Sequence, residues 1–264
     1  MHFTKMHGLG NDYLYVYGEV PENIAEISRY LSERHFGAGS DGMIYISHSD
    51  VADFKMRIFN ADGSEAKMCG NGIRCVGKYV YDKGYTDRTK LTVETLSGIK
   101  KLDLQVSGGR VRFVTVDMGV SSAGEDMSLT VNGEKITCTP IDVGNPHAVI
   151  FTKDADTAPV AGIGSLIERD AAFPGGVNVE FVQVINEKEL RMRVWERGSG
   201  ITMACGTGAC ASVTAAVKKG FCASDTPVAV RLDGGTLEIT VSRNYEITMK
   251  GPAETVYEGE TEFC

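Results

Sequence analysis

Glu196-Arg-Gly-Ser-Gly-Ile-Thr-Met-Ala-Cys205-Gly-Thr-Gly-Ala-Cys210 decides how this chain is read. A cysteine stands directly before Gly-Thr-Gly, and an apolar run of helical period follows. The earlier stretch Asn60-Ala-Asp-Gly-Ser-Glu-Ala-Lys-Met-Cys69-Gly-Asn-Gly-Ile-Arg-Cys75 has the same layout. The two lead cysteines, Cys69 and Cys205, lie 136 residues apart in a chain of 264.

Further landmarks repeat around them. Gly10-Asn11-Asp-Tyr-Leu-Tyr-Val16 resembles Gly144-Asn145-Pro-His147-Ala-Val-Ile150. Residues 21–35 and 159–170 both have helical period, through Ile24, Ile27 and Leu31 in the first and Val160, Ile163, Leu166 and Ile167 in the second. Each has an early proline, where a missing N–H costs little. Residues 41–46 and 178–184 are strand-like, and Met56-Arg-Ile-Phe-Asn60 alternates in the manner of Met192-Arg-Val-Trp-Glu196. The helix after each lead cysteine is expected to end at Gly84 or Gly220, glycine suiting the left-handed position just past a helix. Val114-Thr-Val-Asp-Met-Gly119 resembles Ile247-Thr-Met-Lys-Gly251. Six landmarks in one order, offset by 132 to 137 residues, indicate a duplication. Strands at 91–96, 101–106, 110–117, 228–232, 236–242 and 245–250 fill in an α/β design, with turns at Ser107-Gly-Gly and Asp233-Gly-Gly. The helix of each repeat is apolar on most sides: Ile73, Val76 and Val80 in one, Cys210, Val213 and Val217 in the other. Such a helix belongs inside a sheet.

Composition narrows the function. The chain is long enough to bury a core without staples. A net charge of −8 argues against a nucleic-acid partner. No apolar run approaches a membrane span, and the opening Met-His-Phe-Thr-Lys lacks a signal-peptide core, so a cytoplasmic location is expected. Seven cysteines, odd in number and without CxxC spacing, are expected to stay reduced, with neither a disulfide framework nor a zinc ribbon.

A cysteine at a helix start has particular chemistry. Four N–H groups of the first turn lack intrahelical partners, and the helix dipole adds positive charge there. Such a terminus holds an anion and eases thiolate formation. Two such thiols on opposite sides of a stereogenic carbon can remove a proton from one face and deliver one to the other. The expected chemistry is therefore two-base racemisation or epimerisation, with Cys69 and Cys205 as the bases and the glycine turns holding the substrate carboxylate. Cys75, Cys138, Cys210, Cys222 and Cys264 read instead as small buried hydrophobes. Gly37-Ala-Gly39-Ser-Asp-Gly42 matches a dinucleotide fingerprint only formally, because it follows a helix and precedes a strand. His147 is either a histidine at the core rim or an acid/base helper. Glu196-Arg197 is either a surface ion pair or a substrate contact. Asn11, Asn60, Asn71, Asn145 and Asn178 stand at strand ends or glycine turns, where turn chemistry explains any one of them; their recurrence in both halves favours a polar cleft lining.

These residues resemble the diaminopimelate epimerase family nearly end to end. The resemblance rests on Gly8-Leu-Gly-Asn-Asp-Tyr13, Phe59-Asn-Ala-Asp-Gly-Ser64, Met68-Cys-Gly-Asn-Gly-Ile-Arg-Cys75, Gly144-Asn-Pro-His147, Asn178-Val-Glu-Phe181, Glu196-Arg-Gly and Ala204-Cys-Gly-Thr-Gly-Ala-Cys210. It implies interconversion of LL- and meso-diaminopimelate without a cofactor or metal, Cys69 and Cys205 being the two bases. Gly70-Asn71 and Gly206-Thr207 match the turns that hold the reacting carboxylate. Asn11, Asn60, Asn145, Asn178 and Arg197 match positions that bind the substrate, and Glu196 and His147 match polar neighbours that tune the thiols and the substrate ammonium. The implied fold is α/β (α+β), with two pseudo-symmetric domains, each a mixed, largely antiparallel sheet curled around a central helix. The first would span 1–118, completed by the C-terminal strand 252–264, and the second 119–251; a homodimer is expected. The chain departs from many members at Gly42 (glutamine in some), Trp195 (often tyrosine) and Ile201 (often glutamate). A proline or hydroxyproline racemase is the nearest rival, but those carry histidine where this chain has Asn71. A thiol-redox or metal-binding protein is the rival of another class.

Overall fold

A computed structural model of the chain describes residues 1–262. Cys264 and the last two residues of the expected strand 252–264 lie outside the described residues. The architecture is mixed α+β, and the chain divides into two compact units. One comprises Met1–Asp117 with the described residues from Gly251 onward, the other Met118–Lys250.

The first unit runs β1 (His2–Gly8), β2 (Asn11–Tyr17), α1 (Ile24–Ser32), β3 (Gly42–Ser47), β4 (Phe54–Asn60), β5 (Glu65–Ala66), α2 (Gly70–Asp82), β6 (Lys90–Thr95), β7 (Gly98–Ser107) and β8 (Arg110–Val120). β2 and β3 are parallel, as are β4 and β6; the pairs β1–β2, β3–β4, β4–β5, β6–β7 and β7–β8 are antiparallel. The second unit runs β9 (Ser122–Ala123), β10 (Met127–Val131), β11 (Glu134–Asp142), β12 (Pro146–Phe151), α3 (Val160–Ile167), β13 (Asn178–Asn186), β14 (Glu189–Glu196), β15 (Gly200–Ile201), α4 (Gly206–Lys218), β16 (Val228–Leu232), β17 (Gly235–Val241) and β18 (Glu246–Pro252). Its pairings repeat those of the first unit: β12–β13 and β14–β16 are parallel, while β11–β12, β13–β14, β14–β15, β16–β17 and β17–β18 are antiparallel. The last strand, β19 (Glu254–Glu260), lies antiparallel to β1. Each unit thus has a largely antiparallel sheet.

Burial explains why each long helix sits against its sheet. In α2, Ile73, Cys75, Val76 and Val80 are fully buried, and the helix packs against β1, β2 and β7. In α4, Ala209, Cys210, Ala211, Val213, Ala215 and Ala216 are fully buried, and the helix packs against strands from β9 to β17. Small side chains allow that close approach. Cys138 and Cys222 are likewise buried free thiols. The expectation of an apolar helix needs correction in α2, where Arg74 is completely buried and Lys78 nearly so. Both are paired: Lys78 Nζ donates to Asp82 Oδ2 at 2.7 Å and to the Val111 carbonyl at 2.8 Å. Arg74 is spent on the cysteine turn, as described below.

The short helices are narrower than their sequence periodicity. α1 begins at Ile24, three residues past Pro21, and stops where Glu33 turns extended. Gly39 N–H then bonds the Leu31 carbonyl at 3.0 Å and closes the end. Its face, Ile24, Ile27 and Leu31, is buried on Leu14, Met43 and Phe59. Pro159 is the cap of α3 rather than its first residue. α3 buries Val160 and Ile167 in a cluster with Leu129, Val131, Val179 and Phe181. The hairpin β10–β11 supplying Leu129 and Val131 is absent from the sequence reading. Its signal is present: Asn132 and Gly133 have φ of 52° and 82°, the two positive values of a type I′ turn.

Gly84 and Gly220 stand one residue past the C-caps of α2 and α4, with φ of +78° and +73°. Gly220→Ala should therefore destabilise the chain by about 1 kcal/mol. Gly162→Ala should stabilise it by about 0.5–1 kcal/mol, because Gly162 lies inside α3, is exposed and has open space at its missing Cβ. Chemical denaturation of both variants would show shifts of opposite sign; shifts of the same sign would contradict this account of the two glycines.

Candidate active site

Each lead cysteine is the N-cap of its unit's long helix. Cys69 has φ −139° and ψ 113°, Cys205 φ −113° and ψ 109°, both extended. Each sulfur accepts the N–H three residues on, from Gly72 and Gly208, at 3.3 Å in both cases. Glycine at that third position leaves room for a neighbouring side chain in both turns. A Cβ on Gly72 would meet Ile44 Cδ1 at 2.7 Å; one on Gly208 would lie 2.8 Å from Glu180 Oε1 and 3.2 Å from Cys205 Sγ. The helix start thus brings sulfur, N–H donors and the positive end of the dipole to one place.

In the first unit, the structure brings Asn11 to Cys69. Asn11 Nδ2 donates to Asp41 Oδ2 at 2.8 Å, which turns its Oδ1 toward the thiol, 3.3 Å from Sγ. The sequence reading passed over Asp41. Its carboxyl is pushed up by burial and by the neighbouring Asp12 carboxylate, against the hydrogen bonds from Asp12 N–H and Asn11 and the charge of Arg34. Asn71 lies on the turn and is buried, but its Oδ1 accepts from Arg74 Nη2 at 3.1 Å. Arg74 also donates to the carbonyls of Gly70 and Pro252, both at 3.1 Å, so one buried guanidinium holds the turn. Gly8 makes room for it, since a Cβ there would stand 2.9 Å from Arg74 Nη2. Asn60 sits at the end of β4 with its amide turned to Ser64 Oγ at 3.1 Å, inside its own loop.

In the second unit, Glu196 and Thr207 lie beside Cys205, with Asn145 behind Thr207 and His147 Nε2 3.2 Å from Asn145 Oδ1. Thr207 Oγ1 is 3.5 Å from Cys205 Sγ, and Asn145 Nδ2 donates to Thr207 Oγ1 at 3.4 Å. Glu196 is half-buried and accepts from the Thr202 hydroxyl. Burial pushes its carboxyl up, while the Thr202 and Cys205 side chains hold it down. Asn178 is buried and joins two strand ends, donating to the Pro146 carbonyl at 3.1 Å and accepting Arg197 N–H at 3.0 Å. The Arg197 side chain is exposed and donates to the Gly175 carbonyl at 2.9 Å, so Glu196 and Arg197 are not an ion pair with each other. Gly70 and Gly206 are the first helical residues.

The expectation that both turns ease thiolate formation needs correction at Cys205. Its thiol is pushed well above the ordinary value of 9.0, first by burial and then by the Glu196 and Glu180 carboxylates. Hydrogen bonds from Thr207 and Gly208 N–H oppose this and lose. The helix start supplies partial charges, whereas burial and two carboxylates act in a poorly screened interior. Glu180 is the other residue that the sequence reading passed over. It lies within the quoted Asn178-Val-Glu-Phe181 and is completely buried against His147, with Oε1 2.6 Å from Nδ1. A carboxylate two residues past Asn178 on β13 shares that residue's face, which is the available signal.

A model of the family described as diaminopimelate epimerase matches residues 3–123 and 139–256. The chain belongs to the diaminopimelate epimerase family. The diaminopimelate epimerase of Methanococcus maripaludis is 51% identical over 276 residues, covering 98% of this chain and 99% of that one. That of Parabacteroides distasonis is 52% identical over 262 residues, covering 97% and 96%. Among solved structures, a probable proline racemase from Agrobacterium radiobacter aligns over 100% of this chain and 93% of its own, with a TM-score of 0.75 and 18% identity. That likeness concerns the fold alone. Among the described residues, no group of three or more His, Cys, Asp or Glu side chains is placed to hold a metal ion, and no helix is long and apolar enough to cross a membrane.

Alkylation tests the electrostatics of the second turn. Cys205 should react with iodoacetamide appreciably only well above pH 9.0, read peptide by peptide by mass spectrometry. Glu196→Gln removes one of the two raising charges, so its Cys205 should react at lower pH than in the parent protein. An unchanged or higher profile in that variant would contradict the assigned cause.

Proposed function

We propose that the chain epimerises diaminopimelate at one α-carbon, between the LL and meso forms, with Cys69 and Cys205 as acid and base and no cofactor. The observation that carries this reading is the repeated cysteine cap: one chain builds the same sulfur-bearing helix start twice. Family membership supports the substrate. One sulfur takes the α-proton while the other gives its own proton to the opposite face, so each turnover exchanges their protonation states. The raised Cys205 thiol suits it to be the proton donor in the resting protein. The carbanion charge spreads into the adjacent carboxylate, which the first-turn N–H groups of Gly70, Asn71, Gly206 and Thr207 would hold. Each such donor contributes about 2.7–4 kcal/mol in comparable oxyanion sites. Asn11, Asn60, Asn145, Asn178 and Arg197 would bind the rest of the substrate, and His147 and Glu196 would be the polar neighbours of the thiols and the substrate ammonium. A homodimer, which rests on the family resemblance, and the cytoplasmic location expected from the sequence complete the proposal.

Incubation with LL-diaminopimelate in D₂O should yield the meso form carrying deuterium at one α-carbon. Proline in the same assay should show no exchange. Absence of exchange from reduced protein would remove the epimerase reading, and exchange with proline alone would replace it with the racemase. Either Cys69→Ala or Cys205→Ala should lower kcat by at least about 100-fold, the lower end of general acid–base catalysis; full activity in either variant would contradict the two-base scheme.

A further inference from the structure

The chain contains two Asn-Gly pairs, Asn71-Gly72 and Asn132-Gly133. Asparagine before glycine readily loses its side-chain ammonia, because no Cβ on the following residue shields that residue's backbone nitrogen. The nitrogen attacks Asn Cγ, the new N–Cγ bond closes a succinimide ring, and the side-chain nitrogen leaves as ammonia. Water then opens the ring at either carbonyl, giving aspartate or isoaspartate. The sum is one water gained and one ammonia lost. The reaction needs a backbone able to bend, an untethered side-chain amide and a glycine nitrogen within reach of it.

The structure treats the two pairs in opposite ways. Asn71 and Gly72 are buried in the first turn of α2. Gly72 N–H donates to Cys69 Sγ at 3.3 Å, and Asn71 Oδ1 accepts from Arg74 Nη2 at 3.1 Å. The Ile44 and Met56 side chains stand against Gly72 from the sheet side. Both reacting groups are therefore held, the nitrogen by the sulfur and the amide by the guanidinium. Asn132 and Gly133 form the exposed two-residue turn between β10 and β11. The Asn132 side chain has no hydrogen-bond partner among the described residues. The closing pair Val131 and Glu134 is all that the ladder holds on either side of the turn.

We propose that Asn132 is the site of spontaneous deamidation in the folded chain, and that the Cys69 cap with Arg74 shields Asn71, which has the same following residue. Isoaspartate routes the backbone through its Cβ and so adds one atom to a turn whose length sets the strand register. That register places Leu129 and Val131 in the core of the second unit with Val160 and Ile167 of α3. Isoaspartate at 132 thus loosens this hairpin while the Cys69 turn stays chemically intact. Neither outcome depends on which substrate the protein uses.

Trypsin separates the two pairs for measurement. Cleavage after Lys67 and Arg74 releases residues 68–74, and cleavage after Arg112 and Lys135 releases residues 113–135, each with a single asparagine. Folded protein is held in warm, mildly alkaline buffer and digested at intervals for mass spectrometry. Peptide 113–135 should gain about one dalton, and peptide 68–74 should convert at least about 100-fold more slowly, since α2 opens only with the core. In denaturant the two should convert at rates within about fivefold, because the local structure that separates them is lost. Asn132→Gly keeps a residue suited to positive φ and has no side-chain amide to lose. This variant should show no mass gain in 113–135 and a constant Tm through the incubation, while the Tm of the parent falls. Equal conversion of both peptides in folded protein would overturn the proposal. So would a peptide 113–135 that stays unchanged in folded protein while the denatured sample converts. An equal fall of Tm in the variant and the parent would overturn the link to the hairpin register.

Discussion

A sulfur atom accepting the backbone N–H three residues along fixes where each long helix begins. Sulfur is a weak acceptor, so a thiol cap stabilises a helix less than the serine or aspartate usual at that position. The start is held by other means. Glycine at the third position admits Ile44 in one unit and Glu180 in the other. A buried guanidinium braces the first turn from behind, and close packing of small residues holds the second. The turn conformation is therefore set by its surroundings, and the sulfur is placed at a positive helix end at some cost in local stability. Such local costs collect at functional positions.

The two units use one backbone plan with different electrostatics. Beside Cys69 stands a neutral amide, Asn11, whose own orientation is locked by Asp41. Beside Cys205 stand two carboxylates, and burial there is nearly complete. Duplication copies the path of the chain, but each side chain later takes on its own burial and neighbours. Reading one turn from the other is sound for geometry and unsound for proton affinity.

Much of the fold was legible because it rests on local signals. Apolar periodicity marked α1 to α4 and most strands, and glycine marked the ends of α2 and α4. The mixed α+β class follows from that order. What escaped depended on distant partners. Arg74 and Lys78 look like surface residues until Pro252 and Val111 are seen to receive them. Glu180 looks like an exposed strand residue until His147 faces it across the parallel pair of β12 and β13. The hairpin of β10 and β11 carried a clear local turn signal at Asn132-Gly133 but has no counterpart in the first unit, so reading by repetition skipped it. At the site, the cysteine caps could be read from spacing. The raised Cys205 thiol could not, because its cause is three-dimensional crowding of charge.

Gly42 fixes what its position can carry. Its φ is +152°, and a Cβ there would stand 2.1 Å from the Phe59 carbonyl oxygen and 2.9 Å from Asn60 Cα. The main chain of the neighbouring strand end fills the volume that any side chain at 42 would need. As long as both strands keep this path, the position is closed to every residue but glycine. The bareness of this spot is imposed by backbone, so trimming a neighbouring side chain would not relieve it.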